Sequence, residues 1–124
     1  MKEFAADILE PLNIRYDFVE NGDFRNIKLD LNKRKDFYLL FKEAINNAAK
    51  YSNCNQISIG LSGSESMIEM KIHDNGDGFD VLKARNGNGL ANMNDRARQM
   101  LGRLDIESVP GRGTTVCLKI KSHD

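Results

Sequence analysis

Asp74-Asn75-Gly76-Asp77-Gly78-Phe79 decides the reading of this chain, because it closes a run in which apolar and polar residues alternate. Ile68, Met70 and Ile72 share one side of that strand, and Asp74 continues the inward series, since alternate strand residues face the same way. A carboxylate ending a buried row requires a donor; left unpaired and ionised it costs several kcal/mol. Thr114 stands in the same relation to Val116, Leu118 and Ile120, so its hydroxyl also faces inward. An inward acid and an inward hydroxyl on strands sharing one face can grip the amino edge of a purine. Asp74 can equally cap the turn made by Asn75-Gly76, as aspartate often does, and the residues alone leave both readings open.

Upstream, from Lys33 to Tyr51, the period changes to that of a helix. Phe37, Leu40, Phe41, Ala44, Ile45 and Ala48 define one apolar face. At roughly 100° per residue, Glu43, Asn47 and Lys50 fall in one polar stripe beside that face, while Asn46 falls on the side opposite the core. Such a stripe suits a half-buried ligand, and it equally describes a solvated face with a favourable Glu43–Lys50 neighbourhood. Gly76, Gly78, Gly87 and Gly89 permit positive φ and leave room for a ligand near the main chain. Gly87-Asn88-Gly89 leads into a second helix, whose free amides and positive dipole end attract phosphate. There is no GxxxxGK[ST], so a Walker-type cradle is absent.

The remaining pattern gives the fold class. Residues 2–10 are expected as a helix stopped by Pro11, and Ile14, Tyr16 and Phe18 as a strand. Asn21-Gly22 is expected as a hairpin turn returning through a strand with Ile27, Leu29 and Leu31. Ile57, Ile59 and Leu61 form a strand joined by Ser62-Gly63-Ser64 to the strand that ends in Asp74. No periodic element falls between Asp74 and Asn88. A helix then carries Leu90, Met93, Ala97, Met100 and Leu101 on one face and closes near Gly102; two strands follow at about 103–108 and 114–121. The expectation is one domain over residues 1–124, an α/β (α+β) two-layer sandwich. Its mixed, mostly antiparallel sheet has about five strands, with about three helices on one face. Balanced charge, 18 basic against 18 acidic residues, gives no bulk field toward nucleic acid or an anionic membrane. No apolar run approaches membrane-spanning length. Cys54 and Cys117 lack metal-ligand or CxxC spacing and read as reduced thiols of a cytoplasmic protein.

Taken together and in order, ExxxN at 43–47, DxGxG at 74–78, GxGL at 87–90 and GxGT at 111–114 resemble the nucleotide boxes of the GHKL ATPase superfamily, the Bergerat ATP-binding fold. Within it, EAINNAAKYS and GLANMNDRARQMLGRLDIESVPGRGTTVCLKI resemble the ATP-binding catalytic domain of a bacterial sensor histidine kinase. The brief 79–86 spacer is similar to that of the short-lid subclass of the desaturase and nitrate sensors, and Asn88 stands where a histidine is often found. The resemblance implies that Asp74 accepts from the adenine amino group, with Thr114 supporting it through water. It implies that Asn47 helps hold Mg²⁺, that Lys50 and Tyr51 face phosphate or ribose, and that Gly76 and Gly78 belong to the ATP-binding site. The backbone at Gly87, Gly89 and Leu90 covers the phosphates, and Glu43 is the candidate catalytic base. The implied activity is transfer of the γ-phosphoryl group of Mg-ATP to a histidine on a separate dimerisation helix pair of the same protein. A response-regulator receiver domain is the downstream partner, with no nucleic acid and no membrane contact by this domain. His73, on a strand, and His123, in the tail, do not suit the acceptor role. The alternative expectation is a stand-alone serine kinase of the anti-sigma type; a gyrase-like clamp and a non-catalytic binding module are weaker candidates.

Overall fold

A computed structural model describes residues 1–22, 29–64, 66–78 and 88–121, with the backbone alone for Tyr51, Asn88 and Gly89. Helix α1 (Lys2–Leu9) runs into a 3-10 turn (Glu10–Leu12), and strand β1 spans Arg15–Asn21. Helix α2 spans Leu31–Tyr51, strands β2 and β3 span Gln56–Gly63 and Met67–Asp74, helix α3 spans Asn88–Gln99, and strands β4 and β5 span Arg103–Ser108 and Thr114–Lys121. The sheet order is β1-β2-β3-β5-β4. β1 and β2 are parallel and the other three pairings antiparallel. The result is the mixed, mostly antiparallel two-layer sandwich that the periodicity predicts.

The core forms where the three helices cover one sheet face. Phe37, Leu40, Phe41, Ala44, Ile45 and Ala48 of α2 are all buried, and so are Ile57, Ile59 and Leu61 of β2. Ile68, Met70 and Ile72 of β3 and Val116, Leu118 and Ile120 of β5 complete the inner layer. Met93 and Ala97 of α3, with Met100 just beyond its end, complete the core. Asp36 of α2 joins the two long helices by an ion pair with Arg96 of α3, at 3.2 Å. On the other sheet face exposed polar residues pair, as His73 Nδ1 does with Thr115 Oγ1 at 2.8 Å.

Two expectations are corrected. The hairpin at Asn21-Gly22 does not feed a returning strand through Leu29 and Leu31: Leu29 lies in irregular chain and Leu31 opens α2, while Ile27 lies outside the described residues. The alternation there is overridden by Asp30, whose side chain accepts from the Lys33 amide at 2.8 Å and caps the helix. β1 pairs instead with β2 in parallel. Gly22, at φ 107°, sits where a Cβ would strike the Gly63 carbonyl at the far end of β2.

The end of α3 also differs. Leu101, expected on the core face, is 86% exposed at φ 54°. The Gly102 amide donates to the Ala97 carbonyl at 2.9 Å and the Leu101 amide to Arg98 at 3.0 Å. That is a Schellman-type closure in which leucine holds the left-handed position usually given to glycine. Gly102 is small for another reason, because a Cβ would press on Ile120. Relief of the left-handed strain outweighs the added freedom of the unfolded chain, so Leu101→Gly should stabilise the fold by about 0.5–1 kcal/mol. Thermal unfolding should show a midpoint higher by roughly 2–5 °C. A lower midpoint would mean that Leu101 packs on something.

Candidate functional site

Strand register brings the first pair of candidate residues together. Asp74, the last residue of β3, is the direct cross-strand partner of Thr114, the first of β5. On its other side Asp74 lies opposite Ile57 of β2. Asp74 is 4% and Thr114 8% exposed, so both take the inward parity expected of them. Asp74 Oδ1 accepts from the Gly76 amide at 2.9 Å. The carboxylate therefore closes the turn through Oδ1, the capping role that the residues alone left open. Burial pushes its pKa above the ordinary 3.8; the Gly76 amide, the neighbouring His73 and the Thr114 amide pull the other way without cancelling it.

The turn after Asp74 is clamped from two sides by loops the sequence does not connect to it. Asn75 Oδ1 accepts from the amides of Asn55 and Gln56 at 3.0 and 3.1 Å, and its Nδ2 donates to Asn55 Oδ1 at 2.6 Å. The Asp77 amide donates to the Ser52 carbonyl at 2.6 Å, and its carboxylate accepts from Asn53 Nδ2 at 2.8 Å. The Asp77 carbonyl accepts from the Gly111 amide. Gly76 packs on Ser52 and Gly78, at φ 68°, on the Val109 carbonyl, each so closely that a Cβ would collide with backbone. These two glycines thus allow close contact between main chains. Asn75 and Asp77, not singled out in sequence, hold the loop. Their signal was faint, since asparagine and aspartate are common in any turn.

Through Ser52 the same turn rests against the C-terminal end of α2. The Ser52 hydroxyl donates to the Ala48 carbonyl at 2.5 Å and accepts from the Cys54 amide at 3.2 Å. One turn back along α2, Glu43 and Asn47 are half-buried, and Lys50 is exposed in the last turn. Among the described residues none of these three has a hydrogen-bond or ion-pair partner, so their polar atoms are available. Asn46 is half-buried as well, so burial does not separate it from Asn47 as the helical wheel does. Tyr51 ends α2, and its side chain lies outside the described residues.

At the other border, α3 begins at Asn88, which puts Asn88 and Gly89 inside its first turn instead of ahead of it, with Leu90 on the helix as expected. Gly87 lies outside the described residues. Leu90 is half-buried and packs on the core. Across the sheet, Ser108 of β4 is the cross-strand partner of Thr114, and their hydroxyl oxygens are 2.8 Å apart. Ser108 was not singled out in sequence, yet parity would have found it: it continues the series Leu104, Ile106 just as Asp74 continues Ile72.

Residues 32–124, well over half of the chain, match the family described as histidine kinase-, DNA gyrase B-, and HSP90-like ATPase. The chain belongs to this ATPase family. Members of the histidine kinase-, DNA gyrase B- and HSP90-like family are ATP-binding domains. Among its relatives, an uncharacterized sensor-like histidine kinase of Chloroflexus aurantiacus is 34% identical over 107 residues, covering 81% of this chain and 18% of that protein. Sensor histidine kinase LiaS of Bacillus subtilis is 25% identical over 122 residues, covering 97% and 34%. The chain thus spans no more than about a third of the length of these curated relatives. The histidine kinase domain of the Erythrobacter litoralis EL346 blue-light-activated kinase superposes with a TM-score of 0.75 at 18% identity, over 98% of this chain and 58% of that one. Acinetobacter baumannii histidine kinase AdeS gives 0.74 at 18% identity, over 99% and 61%. At that identity the structures speak for the ATPase fold.

A buried carboxylate held without ligand should weaken the fold. Because its folded pKa lies above 3.8, the native state binds the proton more tightly than the unfolded chain. Stability therefore falls as pH rises through the window between 3.8 and the folded value. Asp74→Asn keeps the acceptor for Gly76 and removes the charge. In denaturant titrations without nucleotide it should match wild type below pH 3.8 and become the more stable protein above that window. A variant less stable than wild type at pH 7 would mean the charge is satisfied within the protein.

Proposed function

We propose that this chain binds Mg-ATP and donates the γ-phosphoryl group to a histidine on a separate dimerisation domain of a sensor kinase. The observation that carries it is the buried pair Asp74–Thr114 at one register, with one carboxylate oxygen spent on Gly76, in a chain of an ATPase family. The free oxygen of Asp74 accepts from the adenine amino group, and Thr114 supports it. The rigid turn 74–78 fixes that oxygen and bounds the purine with Gly76 and Gly78.

The phosphates lie along α2 and the start of α3. The first-turn amides of α3, from Gly89 and Leu90, with Gly87 just before them, bind phosphate oxygens by free N–H groups and the helix dipole. Lys50 supplies positive charge there, and Tyr51 lies at the ribose or phosphates. Asn47, whose amide oxygen has no partner among the described residues, would hold Mg²⁺. When bound, the ion would neutralise part of the phosphate charge. Glu43, one turn from Asn47, accepts the proton of the attacking imidazole while its ring nitrogen bonds to phosphorus and the bond to the bridging oxygen breaks. The 124 residues act as one catalytic domain in the cytoplasm, facing the acceptor helices of their own protein and, after transfer, a receiver domain.

Single-turnover transfer to the helix pair in trans, beside Mg-ATP titrations, tests the assignment. Asp74→Ala should lose about 1–3 kcal/mol of ATP binding, the scale of a hydrogen bond to a charged group. Glu43→Gln should keep most of the affinity and slow transfer by roughly 10²–10⁴-fold. Asn47→Ala should weaken the Mg²⁺-dependent part of binding as well as transfer, and Asn46→Ala should change neither. If Asn46→Ala is as damaging as Asn47→Ala while Glu43→Gln behaves as wild type, the roles along α2 are wrong.

A further inference from the structure

We propose that Ser108 is a positioning residue that orients the Thr114 hydroxyl and so sets the preference for a 6-amino over a 6-oxo purine. It rests on the reading of Asp74 and Thr114 as the purine contacts. Asp74, Thr114 and Ser108 form one transverse row across β3, β5 and β4, each the direct partner of the next. Ser108 Oγ lies 2.8 Å from Thr114 Oγ1 and donates to the Gly113 carbonyl at 3.3 Å.

A hydroxyl has one proton. Either hydroxyl can donate in the 2.8 Å contact; in the proposed arrangement the Ser108 proton lies on the Gly113 carbonyl and Thr114 donates to Ser108. Thr114 then presents lone pairs to the side of Asp74, whose free carboxylate oxygen is likewise an acceptor. Two acceptors side by side suit an amino group, direct or through water, and disfavour a carbonyl at the same place. Specificity of this kind comes from the unfavourable pairing as much as from the favourable one. The geometry behind Ser108 is well fixed: Gly113, at φ 84°, packs on the Asp74 carbonyl so closely that a Cβ would collide with it. Without the Ser108 hydroxyl, Thr114 turns freely and its proton can reach a 6-oxo group.

Calorimetric titration with ATP and with inosine triphosphate, which carries a 6-oxo group, reads the effect. In Ser108→Ala the ratio of the two dissociation constants should fall at least about five-fold toward unity, the scale of one hydrogen bond. Ser108→Thr, which restores the hydroxyl, should recover the wild-type ratio. Equal weakening of both nucleotides would show a structural role only and overturn the assignment. Should Ser108→Ala fail to fold, the nearly isosteric Ser108→Cys is titrated in its place with the same expectation. Asp74→Ala separates the two failures. If it loses ATP while the Ser108→Ala ratio stays at the wild-type value, the role of Ser108 alone is wrong. If it keeps wild-type ATP affinity, the purine site is wrong and the role of Ser108 falls with it.

Discussion

A carboxylate 4% exposed at the end of an apolar row is the constraint around which this fold is arranged. Asp74 sits where an isoleucine or valine would cost nothing, and burial holds its pKa up. The residues that follow turn away within hydrogen-bond reach of it, and Gly76 is the donor. That sharp turn is held by Asn75 and Asp77, which reach to the α2–β2 loop and the β4–β5 loop. One polar group thus draws three loops to the same end of the sheet. In the proposed function its second oxygen is the one that meets the purine amino group.

The site divides into halves of different rigidity. The proposed purine contacts stand on paired strands, where Asp74, Thr114 and Ser108 are fixed by register and small shifts would break ladder bonds. The proposed phosphate contacts stand on helices: Glu43, Asn47 and Lys50 on α2, and the first turn of α3. The Asp36–Arg96 pair ties those two helices together. A rigid reader of the base beside helix-borne groups for the phosphates suits a reaction in which positioning and charge neutralisation carry most of the catalysis.

Much of this was legible in the sequence because period and parity are local. The apolar face of α2 is buried residue for residue, and the inward parity of Asp74 and Thr114 holds. Where the reading failed, a contact between distant segments overrode the local pattern. Leu29 and Leu31 alternate like a strand, but the Asp30 side chain caps a helix that needs its N-terminus there. Leu101 keeps helical spacing, but the closure with Gly102 turns it into solvent. Gly76 and Gly78 were read as leaving room near the main chain, and the neighbours that need that room in this structure are the Ser52 and Val109 backbones. The Ser108–Thr114 pair follows from the same parity rule applied to β4. Ser108 lies in an unremarkable SVPG run, so only the register across β5 brings it to the purine row.

The central claim is that Asp74 keeps one oxygen for a purine amino group. A crystal structure of the domain with Mg²⁺ and a non-hydrolysable ATP analogue tests it most directly. The account predicts the 6-amino nitrogen about 3 Å from the Asp74 oxygen not bound to Gly76, with the phosphates between Asn47 and the first turn of α3. A nucleotide bound elsewhere, with Asp74 still bonded to Gly76 alone, would contradict it.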